Sequence, residues 1–166
     1  MMKINIFLYS GKINLILHVY KGIDMGLETN FPQEILDLKS RYSPEGSLLS
    51  RDQKELLRML QEVAKICDQH HIRWWLAAGT LLGAARHGGF IPWDDDVDIF
   101  VLRKDYRKLE RILCKLDSEE FVYHCMHTDV DYVNSFGKFR KRDGCIQSSS
   151  KRYDYYKWKG IGLDIF

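Results

Sequence analysis

At 166 residues, with 45% hydrophobic and 29% charged residues, the chain is long enough for one domain with a real core and has an ordinary globular balance. Its formal net charge of +2 sets up no strong global field and says little about partners. Four cysteines with no CxxC pair argue against a zinc site and suggest a reducing compartment. No apolar run approaches the ~18 residues of a membrane span, so no transmembrane segment is expected, and Lys12 and His18 break the continuous core that a signal peptide needs.

In chain order, KINIFLY and INLILHVY flank Ser10, Gly11 and Lys12, and their branched and aromatic residues predict a β-hairpin. Pro32 opens a helical pattern, PQEILDLKSRY, and Pro44 to Gly46 make a turn. Ser50 followed by Gln53 reads as a capping box, behind which Leu56, Met59, Leu60, Val63, Ile66 and Cys67 recur at helical spacing over about 51–69. IRWWLAA, 72–78, predicts a strand with Trp74 and Trp75 on opposite faces. One belongs to the core and the other is placed to stack on a base or a cationic headgroup. Thr80 caps a short helix, LLGAARH, that Gly88 or Gly89 ends. VDIFVL, 97–102, is a strand; Tyr106, Leu109, Ile112, Leu113 and Leu116 mark a helix; FVYHCMH, 131–140 and GIGLDIF read as strands. Residues 1–48 form an N-terminal extension and 49–166 the main domain. The fold class is α+β (mixed α/β), a small mixed sheet flanked by helices.

The stretch IPWDDDVDIF carries the chemistry. Crowded carboxylates repel unless a positive charge sits between them. On an extended chain Asp96 and Asp98 share a face while Val97 and Ile99 turn to the core, which suits oxygen ligation of Mg²⁺. Asp94 and Asp95 precede the regular strand, as outer groups or exposed turn residues. A calcium loop needs glycine where Ile99 stands. A DxD glycosyltransferase site and a solvated acidic turn stay as rivals. Upstream, Gly79 and Thr80 begin a helix after a strand, where backbone N–H groups can bind phosphate, and Arg86 lies on the same helix. Lys138 and Arg140 alternate on a strand and are either its wet face or an anion site. His124 to His127, in HCMH, lack a metal-ligand spacing and read as surface or structural residues. YDYYKWKG suggests packing and a pocket rim.

GTLLGAARHGGFIPWDDDVDIFV, with Asp105 and Tyr106 after it, resembles the signature of the LicD family, which includes bacterial phosphocholine transferases and is related to fukutin and fukutin-related protein. The resemblance extends more loosely through FGKFRKRDG and GIGLDIF. It implies a nucleotidyltransferase-type fold and transfer of phosphocholine or a related phospho-alditol group from a CDP-linked donor, CDP-choline or a CDP-alditol, to a glycan, with Mg²⁺ or Mn²⁺ as cofactor and no nucleic acid as partner. It implies Asp96, Asp98 and Asp164 as metal-binding and catalytic residues, with Asp164 beside the other two. Gly79, Thr80, Arg86, Lys138 and Arg140 would serve the donor phosphates. The expected location is the cytoplasm, with or without membrane association, or the Golgi or ER lumen in a eukaryote. Because the sequence stops at Phe166, inside an apolar strand signal, a domain truncated at its C-terminal end is expected. That leaves an inactive remnant binding nucleotide or a partner, or a true nucleotidyltransferase, as alternatives.

Overall fold

Turn chemistry decides where the main helix begins. The structure, a computed structural model, describes residues 33–146 and 150–166, so the expected hairpin lies outside the described residues. Helix α1, Gln33–Tyr42, follows Pro32 as expected, and α2 spans Leu48–Gln69. The N-cap of α2 is Ser47, not Ser50. Ser47 is extended at φ −64° and ψ 159°, and its side chain accepts the Ser50 N–H at 3.2 Å. The tight turn before it, closed by Ser47 N–H on Pro44 O at 3.0 Å, delivers a capping serine three residues earlier than the Ser50–Gln53 pattern does. Gln53, freed from capping, donates instead to Ile91 O and Asp94 O, at 3.3 and 2.8 Å, tying α2 to the acidic loop.

The remaining elements are β1 (Trp74–Leu76), α3 (Ala78–His87), β2 (Val97–Val101), α4 (Arg103–Leu113), β3 (Phe121–His124), β4 (Gly137–Lys141), a 3-10 turn (Lys151–Asp154) and β5 (Gly162–Ile165). Gly88 ends α3 in the left-handed region at φ 63°, a conformation that needs no Cβ. Of the stretch 131–140, only Gly137 onward pairs. Before it Asp129 accepts the Asp131 N–H at 3.1 Å, a side-chain turn that competes with strand pairing.

The five strands form one mixed sheet in the order β1-β2-β5-β4-β3, parallel only between β2 and β5. The period of two in each strand separates two faces. One face, with Trp74, Leu76, Val97, Ile99, Val101, Tyr123, Phe139, Leu163 and Ile165, packs on Leu56, Met59, Leu60, Val63 and Cys67 of α2 and on Leu109 and Leu113 of α4. That is the hydrophobic core, and its burial is the main stabilising term. The other face carries Trp75, Asp98, Phe100, Asp164, Lys138, Arg140 and His124, and it positions the candidate site.

Candidate active site

Asp98 is held by its own backbone. The Ala77 N–H donates to Asp98 O at 2.9 Å, and the Asp98 N–H donates to Thr80 Oγ1 at 2.8 Å. Thr80 is therefore not the cap of α3. It is the third residue of the helix, 2% exposed, and its hydroxyl is committed to the strand; the N-cap is Ala77, which makes no side-chain cap bond. Ala78 opens the helix at φ 42°, a left-handed conformation unfavourable for a residue with a Cβ.

The start of α3, expected to receive phosphate, holds a carboxylate. A Cβ at Gly79 would lie 2.7 Å from Asp94 Oδ2, so only glycine lets the Asp94 side chain settle over the helix N-terminus. Burial, reinforced by the charges of Asp96 and Asp95, pushes the Asp94 carboxyl up to about 6. Arg86 stands exposed in the last turn of the same helix, six residues and so roughly 9 Å along the axis from Thr80. The fold does not gather it with the others.

Across the sheet, one line of residues runs Asp98, Asp164, Lys138, His124, each directly opposite the next in register. Sixty-six positions apart in sequence, Asp98 and Asp164 are neighbours on parallel strands. Burial, then the charges of Asp96 and Asp164, raises Asp98 to about 6. Burial also raises Asp164, although the Lys138 ammonium touches its Oδ1 and pulls the other way. An all-oxygen set with mutually repelling charges fits a hard divalent cation in chemistry. Among the described residues, however, no group of three or more His, Cys, Asp or Glu side chains converges closely enough to hold a metal, and the counter-charge present is Lys138.

Arg140 is not a wet-face residue. It is 1% exposed, its Nε donates to His124 Nδ1 at 3.0 Å and its Nη1 to Gly160 O at 2.6 Å, while Nη2 is buried without a partner among the described residues. Because His124 Nδ1 accepts from an arginine, the imidazole proton sits on Nε2, which donates to Asp129 Oδ2 at 2.7 Å. Burial lowers the His124 pKa, in keeping with a neutral ring. Asp129 loses solvation by burial, but N–H bonds from Lys157 and Asp131 and the His124 contact outweigh that and hold its carboxyl below the usual range. Tyr132, Tyr156 and Trp158 pack around His124 with ring centroids at 4.3, 5.1 and 5.4 Å, so YDYYKWKG serves packing, as expected. Sequence reasoning missed Asp129. The signal was weak, since an aspartate in a polar turn is normally solvated. Trp74 is buried, and Trp75 makes an edge contact with Phe100 at 6.1 Å, the far end of an aromatic row that continues to Phe166 and Phe136.

Residues 71–166 match the family model described as LicD/FKTN/FKRP, nucleotidyltransferase domain. The chain is 42% identical over 98 residues to the lipopolysaccharide cholinephosphotransferase LicD of Haemophilus influenzae, covering 58% of this chain and 36% of that protein. It is 30% identical over 140 residues to Rickettsia prowazekii protein RP689, covering 79% of this chain and 53% of the relative. It is 43% identical over 60 residues to the human ribitol 5-phosphate transferase FKRP, covering 34% of this chain and 12% of FKRP. The chain thus spans at most about half the length of these relatives. Among the described residues no helix is long and apolar enough to cross a membrane.

Proposed function

The chain belongs to the LicD/FKTN/FKRP family, and from that premise we propose that it is the nucleotidyltransferase-fold part of a transferase moving phosphocholine, or a related phospho-alditol group, from a CDP-linked donor to a glycan. The observation that carries the proposal is the parallel register of Asp98 with Asp164, with Asp96 two residues before Asp98 on the same strand approach. Among the described residues, this pairing brings distant carboxylates into opposed positions on the face of the sheet away from α2.

In this reading Asp96, Asp98 and Asp164 hold Mg²⁺, or Mn²⁺, which when bound neutralises charge on the donor pyrophosphate. The chain's own groups do the rest. Thr80 and Ala77 fix the Asp98 backbone, so the carboxylate is positioned before any ligand arrives. Lys138 presents an ammonium beside Asp164 and is the cation best placed to meet a donor phosphate. Arg140, buried two residues on in the same strand, positions Lys138 by locking β4 to His124 and Gly160, with Nη2 left without a partner among the described residues. The Gly79–Thr80 end of α3 can serve a phosphate only if Asp94 shares a cation with it or moves aside, because two anions cannot occupy one helix start unneutralised. Phosphoryl transfer rests on such positioning and charge neutralisation more than on covalent chemistry.

A second reading, nucleotide binding without turnover, is favoured by the Lys138–Asp164 contact, which supplies Asp164 with a counter-charge of its own. Incubation of the chain with CDP-choline, CDP-ribitol or CDP-glycerol, an oligosaccharide acceptor and Mg²⁺, followed by ³¹P NMR, separates the readings. Release of CMP with a new phosphodiester on the glycan is the expected result. Magnesium-dependent binding of the donor without CMP release would favour nucleotide binding alone, and release of pyrophosphate in a parallel incubation with CTP in place of the CDP-linked donor would make the chain a nucleotidyltransferase.

A further inference from the structure

A separate cavity of about 320 Å³ lies between the first turns of α4 and the loop leading into β4, a size suited to a small ligand. Arg103 and Arg107 line it, four residues apart and so on one side of the helix. Both are exposed, and among the described residues neither has an ion pair, whereas Arg58, Arg73 and Lys138 are each matched with a carboxylate. The lining includes a single carboxylate, Glu110, so the pocket carries two guanidinium groups against one acid. Its remaining surface is mixed: Phe136 and Met126 are apolar, while Asn134 offers an amide.

Position connects this pocket to the acidic face. Phe136 forms part of its wall, and the same ring lies 5.5 Å from Lys138 Nζ and 4.4 Å from the Phe166 ring. Gly137, also in the wall, is followed directly by the lysine that touches Asp164. Gly137 and Lys138 turn to opposite faces of β4, so a ligand in the cavity reaches the acidic face past the Phe136 ring at the sheet's end.

We propose that this pocket binds an anionic substituent, a phosphate or carboxylate, carried on a sugar of the acceptor glycan. The proposal rests on the glycan-transferase reading above. Guanidinium groups suit the planar or tetrahedral oxygens of such an anion, and an aromatic ring with amide neighbours suits the sugar that bears it. The competing account is that Arg103 and Arg107 are only the solvated side of α4.

The test uses glucose 6-phosphate, glucose and inorganic phosphate as probes, read from the ¹³C-methyl signal of Met126 and by calorimetry. Glucose 6-phosphate should move the Met126 signal and bind about tenfold tighter than either glucose or inorganic phosphate. Arg103→Ala and Arg107→Ala should each weaken it about tenfold, the scale of one lost charged hydrogen bond. Both residues are exposed, so the variants should keep the parent melting temperature. Asp98→Asn should leave sugar-phosphate binding unchanged. An unmoved Met126 signal, parent-like binding by both arginine variants, or equal affinity for inorganic phosphate would overturn the proposal. Donor binding is followed in parallel with Mg²⁺ and CDP-choline. If CDP-choline binds and the sugar phosphate does not, only the pocket assignment fails. If the sugar phosphate binds and no CDP-linked donor does, the transferase reading fails and the acceptor assignment goes with it.

Discussion

Two regions of one sheet face handle buried charge in opposite ways. Around β3 and β4, Arg140, His124 and Asp129 satisfy one another and are sealed by Tyr132, Tyr156 and Trp158. Around β2 and β5, burial and the neighbouring carboxylate charges raise Asp94, Asp98 and Asp164, and the ion pair that opposes them among the described residues is Lys138 with Asp164. Apart from Arg140 Nη2, the first network is satisfied among the described residues, so its energy goes into holding β3, β4 and the aromatic segment together. The second is incomplete, and its residual repulsion is what an incoming cation would relieve. Lys138 marks the boundary, opposite His124 on one side and Asp164 on the other.

The largest effect should come from breaking the satisfied network. Arg140→Met removes the donor to His124 Nδ1 and to Gly160 O and should destabilise the fold by about 3–5 kcal/mol in urea unfolding, from two buried acceptors that cost about 1–3 kcal/mol each when left unsatisfied. A loss below about 1 kcal/mol would mean that the network is not structural. Next, Lys138→Met leaves Asp164 buried without its cation and should cost about 2–3 kcal/mol in metal-free buffer. Millimolar Mg²⁺ should return much of the lost melting temperature if the carboxylates accept a cation, and no return would count against the metal assignment.

A smaller effect is expected of Thr80→Val, which keeps the shape of a side chain 2% exposed but leaves the Asp98 N–H without an acceptor. A cost of about 1–2 kcal/mol should appear in denaturant unfolding. Removing repulsion should do the reverse: Asp98→Asn is expected to raise the metal-free melting temperature slightly, the gain being limited by solvent screening at a half-buried site. The accompanying pH dependence has a definite sign. The folded Asp94 and Asp98 keep protons up to about pH 6 that the unfolded chain loses near pH 4, so this region's contribution to metal-free stability falls as pH rises through that window. His124 acts oppositely: burial keeps it neutral where the unfolded imidazole protonates, so stability from its network declines as pH drops below about 6.5. Thermal melts of parent and Asp94→Asn/Asp98→Asn across pH 4–7 should show a smaller falling component in the variant, where Asp164 alone of the three raised carboxyls remains.

Local spacing determined much of this protein. The 3.6-residue period from Leu56 to Cys67, the two-residue alternation of Val97 to Val101 and the glycine after His87 each act within a few residues, so sequence alone places α2, β2 and the end of α3 and turns Asp98 away from the core. The same locality puts Asp164 between Leu163 and Ile165, both buried on the core face. Tertiary structure decided what these residues meet. Whether the hydroxyl of Thr80 caps a helix or braces a strand depends on where β2 arrives. Whether Asp94 is a solvated turn residue depends on the bare Cα of Gly79 across the loop. Whether Arg140 is wet or buried depends on a histidine 16 positions away and an aspartate in the turn beyond it. Each of these is a pairing between segments whose register is set by the packing of the whole sheet on α2, and no spacing within either segment encodes it.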